Sequence, residues 1–323
     1  PFIKKCKDSV FTYESLWRKM SDRVGYWADM DNPYVTYHND YIESVWWALK
    51  QIWDKGLLYK GFKVVPYCPR CGTPLSSHEV AQGYKDVKER SAIAKFKVKD
   101  EDAYILAWTT TPWTLPSNVA LCVHPDERYV KVRMNGDGTV YYLAEALADT
   151  VLGEGAYTVL EAYTGRDLEY KEYEPLFAFV QPKEKCWYVV CDGYVTGIVH
   201  IAPAFGEDDA NVGRKYGLPL VQLVDAKGEM TKETPWAGMF CKKADKEVLR
   251  DLETRGLLFS APVFEHSYPH CWRCKEPILF RATEQWFCSV DHFKDEAVQA
   301  VKNVKWIPGW GEERMTSMIR ERS

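Results

Sequence analysis

The stretch Ser91-Ala92-Ile93-Ala94-Lys95-Phe96-Lys97-Val98 places Ala92, Ala94, Phe96 and Val98 on one face and both lysines on the other. A period of two is that of a half-buried strand, because successive side chains point to opposite sides of a sheet. Outward from it, Ala103 to Trp108, Tyr129 to Met134, Thr139 to Leu143, Trp187 to Cys191 and Ile198 to Ala202 read as further short strands. Asn135-Gly136-Asp137-Gly138 is a hairpin signal, since these residues tolerate the positive φ of tight turns. Helical spacing returns at Asp209 to Tyr216, Lys243 to Arg255 and His292 to Lys302, with Gly217 and Gly256 as stops. Toward the N-terminus, Tyr41, Ile42, Val45, Trp46, Leu49, Ile52 and Trp53 make one face of a helix from Asn39 to Gly56, with Asp40 and Glu43 as its capping box. The pattern is α+β. A β-rich middle, residues 91–262, is expected as an insertion between helix-containing flanks at 1–90 and 263–323.

The 323 residues, 46 % apolar and 14 % aromatic, suffice for about two domains and exclude disorder. A net charge of -4 argues against an unspecific nucleic-acid binder, which would carry a cationic excess. No apolar run approaches the roughly 18 residues of a membrane span, and Pro1-Phe2-Ile3-Lys4-Lys5 does not open a signal peptide. A soluble, cytoplasmic monomer is expected, cut from a longer chain.

Of ten cysteines, four form two pairs, Cys68-Pro69-Arg70-Cys71 and Cys271-Trp272-Arg273-Cys274. Two residues between cysteines let both sulfurs of a knuckle face one ion, and two knuckles supply a closed tetrahedral zinc site. Such a site is structural, because no ligand position stays open for chemistry. The pairs lie 200 positions apart, so independent reduced thiols are the bland alternative, and His78 and His270 are possible substitute ligands. Cys6, Cys122, Cys186, Cys191, Cys241 and Cys288 read as small packing residues.

In Trp108-Thr109-Thr110-Thr111-Pro112-Trp113-Thr114-Leu115-Pro116-Ser117-Asn118 the two prolines end any ladder, which leaves the threonines at a strand end. Their hydroxyls can orient water or hold a ribose; ordinary threonine propensity for strands competes with that reading. In Gly197 to Asp209 a strand meets Pro203, a turn passes Gly206, and Glu207-Asp208-Asp209 opens a helix. His200 is a candidate acid, base or water-orienting group, and an aspartate there suits a cationic amine. A satisfied strand histidine and a helix cap at Asp208 are the alternatives. No Gly-x-Ser-x-Gly elbow, His-Glu-x-x-His helix or Gly-x-x-x-x-Gly-Lys loop is present.

Together the runs Ala107 to Ala120, Gly197 to Asp209 and Ala282-Thr283-Glu284-Gln285-Trp286-Phe287, with the cysteine pairs, resemble the isoleucyl-tRNA synthetases. Thr109-Thr110-Thr111-Pro112-Trp113 looks like the isoleucine enzymes, where valine and leucine relatives usually carry Thr-Arg-Pro-Glu-Thr. Asn32 to Tyr37 and His200 to Phe205 look like the eukaryotic-type branch, which some bacteria share. The resemblance implies a β-barrel-like editing domain inserted into a Rossmann-type body. It implies hydrolysis of mischarged Val-tRNA(Ile), with editing before transfer also open. The His-x-Gly-His and Lys-Met-Ser-Lys-Ser motifs, which serve ATP and magnesium in the parent enzyme, would lie outside Pro1 and Ser323, so this stretch alone should not charge tRNA.

By the same resemblance Thr109, Thr110 and Thr111 bind the terminal adenosine and position water. His200 bounds the valine side chain, and Asp209 holds the ammonium group, with Asp208 as its alternative. Trp113, Asn118, Ala204 and Phe205 join them as substrate contacts, and tRNA(Ile) and valine are the expected partners. An RNA-binding zinc ribbon without catalysis, or an intact but idle editing site, are the rival expectations.

Overall fold

The computed structural model describes residues 1–321. The chain forms two compact units: Gly61–Gln285, and Pro1–Lys60 with Trp286 onward. The strands are β1 (Leu58–Cys68), β2 (Thr73–Pro74), β3 (Tyr84–Arg90), β4 (Ala92–Lys97), β5 (Tyr104–Thr109), β6 (Ala120–Val123), β7 (Arg128–Met134), β8 (Val140–Ala144), β9 (Tyr157–Thr164), β10 (Tyr188–Cys191), β11 (Ile198–Ile201), β12 (Leu258–Ser260), β13 (Val263–Pro269) and β14 (Leu279–Cys288). The helices are α1 (Phe2–Val10), α2 (Glu14–Val24), α3 (Asn39–Asp54), α4 (Ser77–Ala81), α5 (Ala148–Leu152), α6 (Gly165–Leu168), α7 (Glu207–Tyr216), α8 (Cys241–Thr254), α9 (Lys294–Lys302) and α10 (Trp310–Arg320).

In the central unit a nine-stranded sheet runs β10-β6-β11-β5-β8-β7-β9, with β4 on the second edge of β5 and β12 beyond it. The alternation in β4 is realised: Ala92, Ala94, Phe96 and Val98 are at most 2 % exposed. They pack with Leu121, Tyr129 and Tyr142 and with Val248 and Leu252 of α8. Each such large apolar side chain contributes about 1.5–3 kcal/mol on burial.

β5 is the junction of the sheet. One edge pairs β4 antiparallel from Tyr104↔Lys97 to Thr109↔Ala92. The other edge is divided: Tyr104 and Ile105 run beside β8, and Trp108 runs beside Val199 of β11, both in parallel. Neighbours that share one strand edge must diverge, so the sheet curls. Parallel pairing also brings the C-terminal ends of β5 and β11 to the same place.

The central unit is wider than the 91–262 span expected, because β3 and β13 form an antiparallel ribbon, Tyr84↔Pro269 to Arg90↔Val263. At its foot, a Cβ on Gly83 would stand 1.8 Å from the His270 carbonyl oxygen. Glycine there permits the His270 N–H to Gly83 O bond of 2.8 Å. Both cysteine pairs therefore belong to the central unit.

In the flanking unit α1, α2, α3 and α10 bury no residue, while α9 buries Val298 and Val301. A cavity of about 590 Å³ is lined by Trp46, Leu49, Lys50, Trp53, Leu58 and Trp286. The capping box expected at Asp40 and Glu43 does not form. The cap residue of α3 is His38, without a side-chain bond, so Asp40 lies inside the first turn, where its carbonyl takes the Ser44 hydroxyl. Among the described residues no helix is long and apolar enough to cross a membrane.

Candidate functional site

Beyond β5 the chain turns into a short 3-10 helix, Pro112–Ser117, with proline at its first position. Proline suits that place because its fixed φ matches the helix and its missing N–H would have had no partner. Residues three apart eclipse in a 3-10 turn, which stacks Thr114 on Thr111. Their hydroxyl oxygens are 3.2 Å apart, and Thr109 Oγ1 lies 3.4 Å from Thr111 Oγ1. The Thr114 hydroxyl donates to Thr111 O at 2.8 Å and also lies 2.9 Å from His200 Nε2. A hydroxyl has one proton, already used on Thr111 O, so Thr114 Oγ1 accepts from His200 Nε2–H. Thr110 takes no part in this chain of bonds.

His200 arrives from β11, 8 % exposed. Burial alone pushes its pKa down to about 4, so the imidazole is neutral near pH 7. With Nε2 carrying the proton, Nδ1 is a bare acceptor, buried and without a hydrogen-bond partner among the described residues. An unsatisfied buried acceptor is costly in a fold unless water or a ligand group meets it.

Two residues past His200, the Ala202 N–H donates to Asp209 Oδ2 at 2.9 Å, while the Tyr194 hydroxyl donates to Oδ1 at 3.2 Å. Asp209 sits in the first turn of α7, whose cap residue is Gly206. A Cβ on Gly206 would lie 2.8 Å from Asp209 Cγ, so glycine there lets the carboxylate fold back over the strand end. Burial, only partly offset by these two bonds, raises the Asp209 pKa to about 6. Asp208 is exposed, and its charge adds to that rise.

Asn118 stands apart: its amide donates to Ala120 O at 2.8 Å and accepts the Tyr173 hydroxyl at 2.7 Å, both within the core. Ala204 is wholly buried, and Phe205 meets the buried Trp113 ring edge-on at 5.0 Å. Three participants carry no role in the sequence reading: Thr114, Tyr194 and Asp245, whose Oδ1 accepts the Trp113 N–H at 2.7 Å. The spacing of Thr111 and Thr114 marks the first. No local signal marks the other two.

At the ribbon foot the sulfurs of Cys68, Cys71, Cys271 and Cys274 all lie within 4.8 Å of one another. Cys68 and Cys274 are 3.4 Å apart, Cys71 and Cys271 4.0 Å. Four bonds of about 2.3 Å to one tetrahedral ion would set sulfurs roughly 3.8 Å apart, between these values. The separations are far beyond a disulfide bond of about 2.05 Å. Each knuckle closes through positive φ just after its second cysteine, at Gly72 and Lys275. Burial pushes Cys68 up to about 12; at Cys271 burial acts the same way but the N–H groups of Cys274 and Arg273 prevail, bringing it down to about 7. The four could hold a metal ion. His78 is exposed on α4 and His270 bonds Tyr268 O, and neither belongs to the cluster.

The profile of tRNA synthetases class I (I, L, M and V) matches residues 1–323, and the chain belongs to that family. Within it the chain is similar to the isoleucine-tRNA ligase of Clostridium acetobutylicum, 57 % identical over 95 % of this chain and 30 % of that protein. The isoleucine-tRNA ligase of Thermus thermophilus is 46 % identical over the same shares. The chain thus spans about a third of the length of these relatives. The cytosolic leucyl-tRNA synthetase editing domain of P. knowlesi overlays 57 % of this chain and 98 % of itself at 15 % identity and a TM-score of 0.42.

Proposed function

We propose that the turn after β5, His200 and Asp209 form the editing site of an isoleucyl-tRNA synthetase, which hydrolyses the ester of valine wrongly attached to tRNA(Ile). The observation that carries this reading is the chain of Thr109, Thr111 and Thr114 hydroxyls ending on a neutral, buried His200, beside a recessed Asp209. The parent enzyme, with a Rossmann-type body, would attach isoleucine using ATP and magnesium. Editing is needed because one methylene is worth only about 1–3 kcal/mol in an apolar pocket, a limit for which this enzyme family is itself the standard example.

Asp209 would hold the substrate ammonium, for which an ionised carboxylate is the natural partner. The threonine hydroxyls would fix the terminal ribose and a water. That water adds to the ester carbonyl, the bond to the ribose oxygen breaks, and the proton passes to the departing oxygen. An aminoacyl ester is already activated, so placing the water contributes more than a strong base would. His200 would bound the side-chain space without bringing a charge against the ammonium. Cys68, Cys71, Cys271 and Cys274 would hold zinc, which serves there to tie the knuckles together.

The test is deacylation of Val-tRNA(Ile) and Ile-tRNA(Ile) by the full-length protein; failure to release valine in preference to isoleucine contradicts the proposal. His200→Ala is expected to reduce the valine-to-isoleucine rate ratio about tenfold while hydrolysis continues, since it enlarges the space the imidazole fills. Equal losses on both substrates would remove His200 from size selection. Gly206→Ala should slow release of valine about tenfold with little change in melting temperature, because the new Cβ displaces the Asp209 carboxylate. An unaffected rate would show that this carboxylate position is unimportant.

A further inference from the structure

The N-terminus of the Pro112–Ser117 turn has few donors to satisfy. Pro112 has no N–H, and the Thr114 N–H goes to Thr111 O at 3.0 Å. Thr111, the residue before the turn, makes no side-chain cap bond. The Trp113 N–H is therefore the donor left over, and Asp245 takes it from α8, 132 positions away, at 2.7 Å. A carboxylate on a backbone N–H is among the shorter and stronger hydrogen bonds in proteins. Serine or asparagine would satisfy the same donor without the desolvation that a recessed carboxylate suffers. Asp245 is the second residue of this kind here: like Asp209, it is half-buried by its surface yet deep in protein atoms, and its proton affinity rises to about 7 through burial.

What this bond holds in place is specific. The turn that it fastens carries Thr111 and Thr114, and Thr114 Oγ1 receives the His200 Nε2–H. The same helix packs its Cys241 and Ala244 against Trp113, Ala202, Ala204 and Phe205, which joins the turn to the end of β11. We infer that Asp245 is a positioning residue of the editing site: through the Trp113 amide it fixes the threonine turn against His200, without touching substrate. This rests on the function proposed above.

The experiment is single-turnover and steady-state deacylation of Val-tRNA(Ile) by the full-length protein carrying Asp245→Ala or Asp245→Asn, with melting temperatures measured alongside. Asp245→Ala is expected to lower kcat roughly 30-fold, as a loosened reacting geometry does, with KM within about twofold. Asp245→Asn keeps an acceptor for the Trp113 N–H and should recover to within about threefold of wild type. An active wild type matched by Asp245→Ala overturns the inference alone. So does a loss confined to KM, or an Asp245→Asn variant as slow as Asp245→Ala. A wild type that releases no valine overturns the proposed function and this inference together.

Discussion

Replacing Asp209 by alanine is expected to slow release of valine from Val-tRNA(Ile) about 100-fold or more, the effect of losing roughly 2.7 kcal/mol of oriented electrostatic interaction. The carboxylate is held on both oxygens, by the Ala202 N–H and by Tyr194. Asp209→Asn retains an oxygen for one of those bonds but not the charge, so it should be nearly as slow if the partner is an ammonium. Stability should not follow activity. The carboxyl's pKa is raised from 3.8 to about 6 in the fold, so its contribution favours folding at low pH and is lost as pH rises through 6. Near pH 8 the ionised group opposes folding, and Asp209→Asn should melt no lower than wild type. Unchanged deacylation in the full-length protein would take Asp209 out of the site.

The second large effect concerns the four thiols. Removing bound metal by chelation under reducing conditions, or introducing Cys68→Ser with Cys274→Ser, is expected to lower the melting temperature by about 10 °C. The figure follows from the loop the cluster closes: a tie across about 200 residues restricts the unfolded chain by roughly 5 kcal/mol in the chain-entropy picture, part of it offset by the desolvated thiolates. Purified protein should carry about one zinc per chain. Less than about half an equivalent, or a melting temperature indifferent to chelation, would refute the assignment.

Most strands that bury apolar side chains on one face or both could be read from the sequence to within a residue or two. β4, β5, β7, β8, β10 and β11 all coincide with apolar runs or alternation, and α7, α8 and α9 with helical spacing closed by Gly217, Gly256 or a polar end. β9 could not be read, because its residues are exposed almost throughout and its place is set by pairing with β7. The ribbon of β3 and β13 was equally opaque, since its partners are more than 170 positions apart. At the site, Thr109, Thr111, His200 and Asp209 were visible as residue types at a strand end. Asp245 and Tyr194 were not, because long-range packing alone brings them there. Asn118 lay beside the threonines in sequence, yet its amide serves Ala120 and Tyr173 in the core.

The backbone contact at Gly83 and the sulfurs beside it also set an order of events during synthesis. Cys68 and Cys71 leave the ribosome about 200 residues ahead of Cys271, and at some 5–20 residues per second that is roughly 10–40 s. Through that interval an arriving ion meets two thiols rather than four. The strands from β4 to β12 can pair as they emerge, but β3 must wait with its edge open until β13 is made. Capture of the ion by all four sulfurs would then come late in the assembly of this unit, with only β14 still to join β1, and the open ribbon edge would be a point of exposure until that moment.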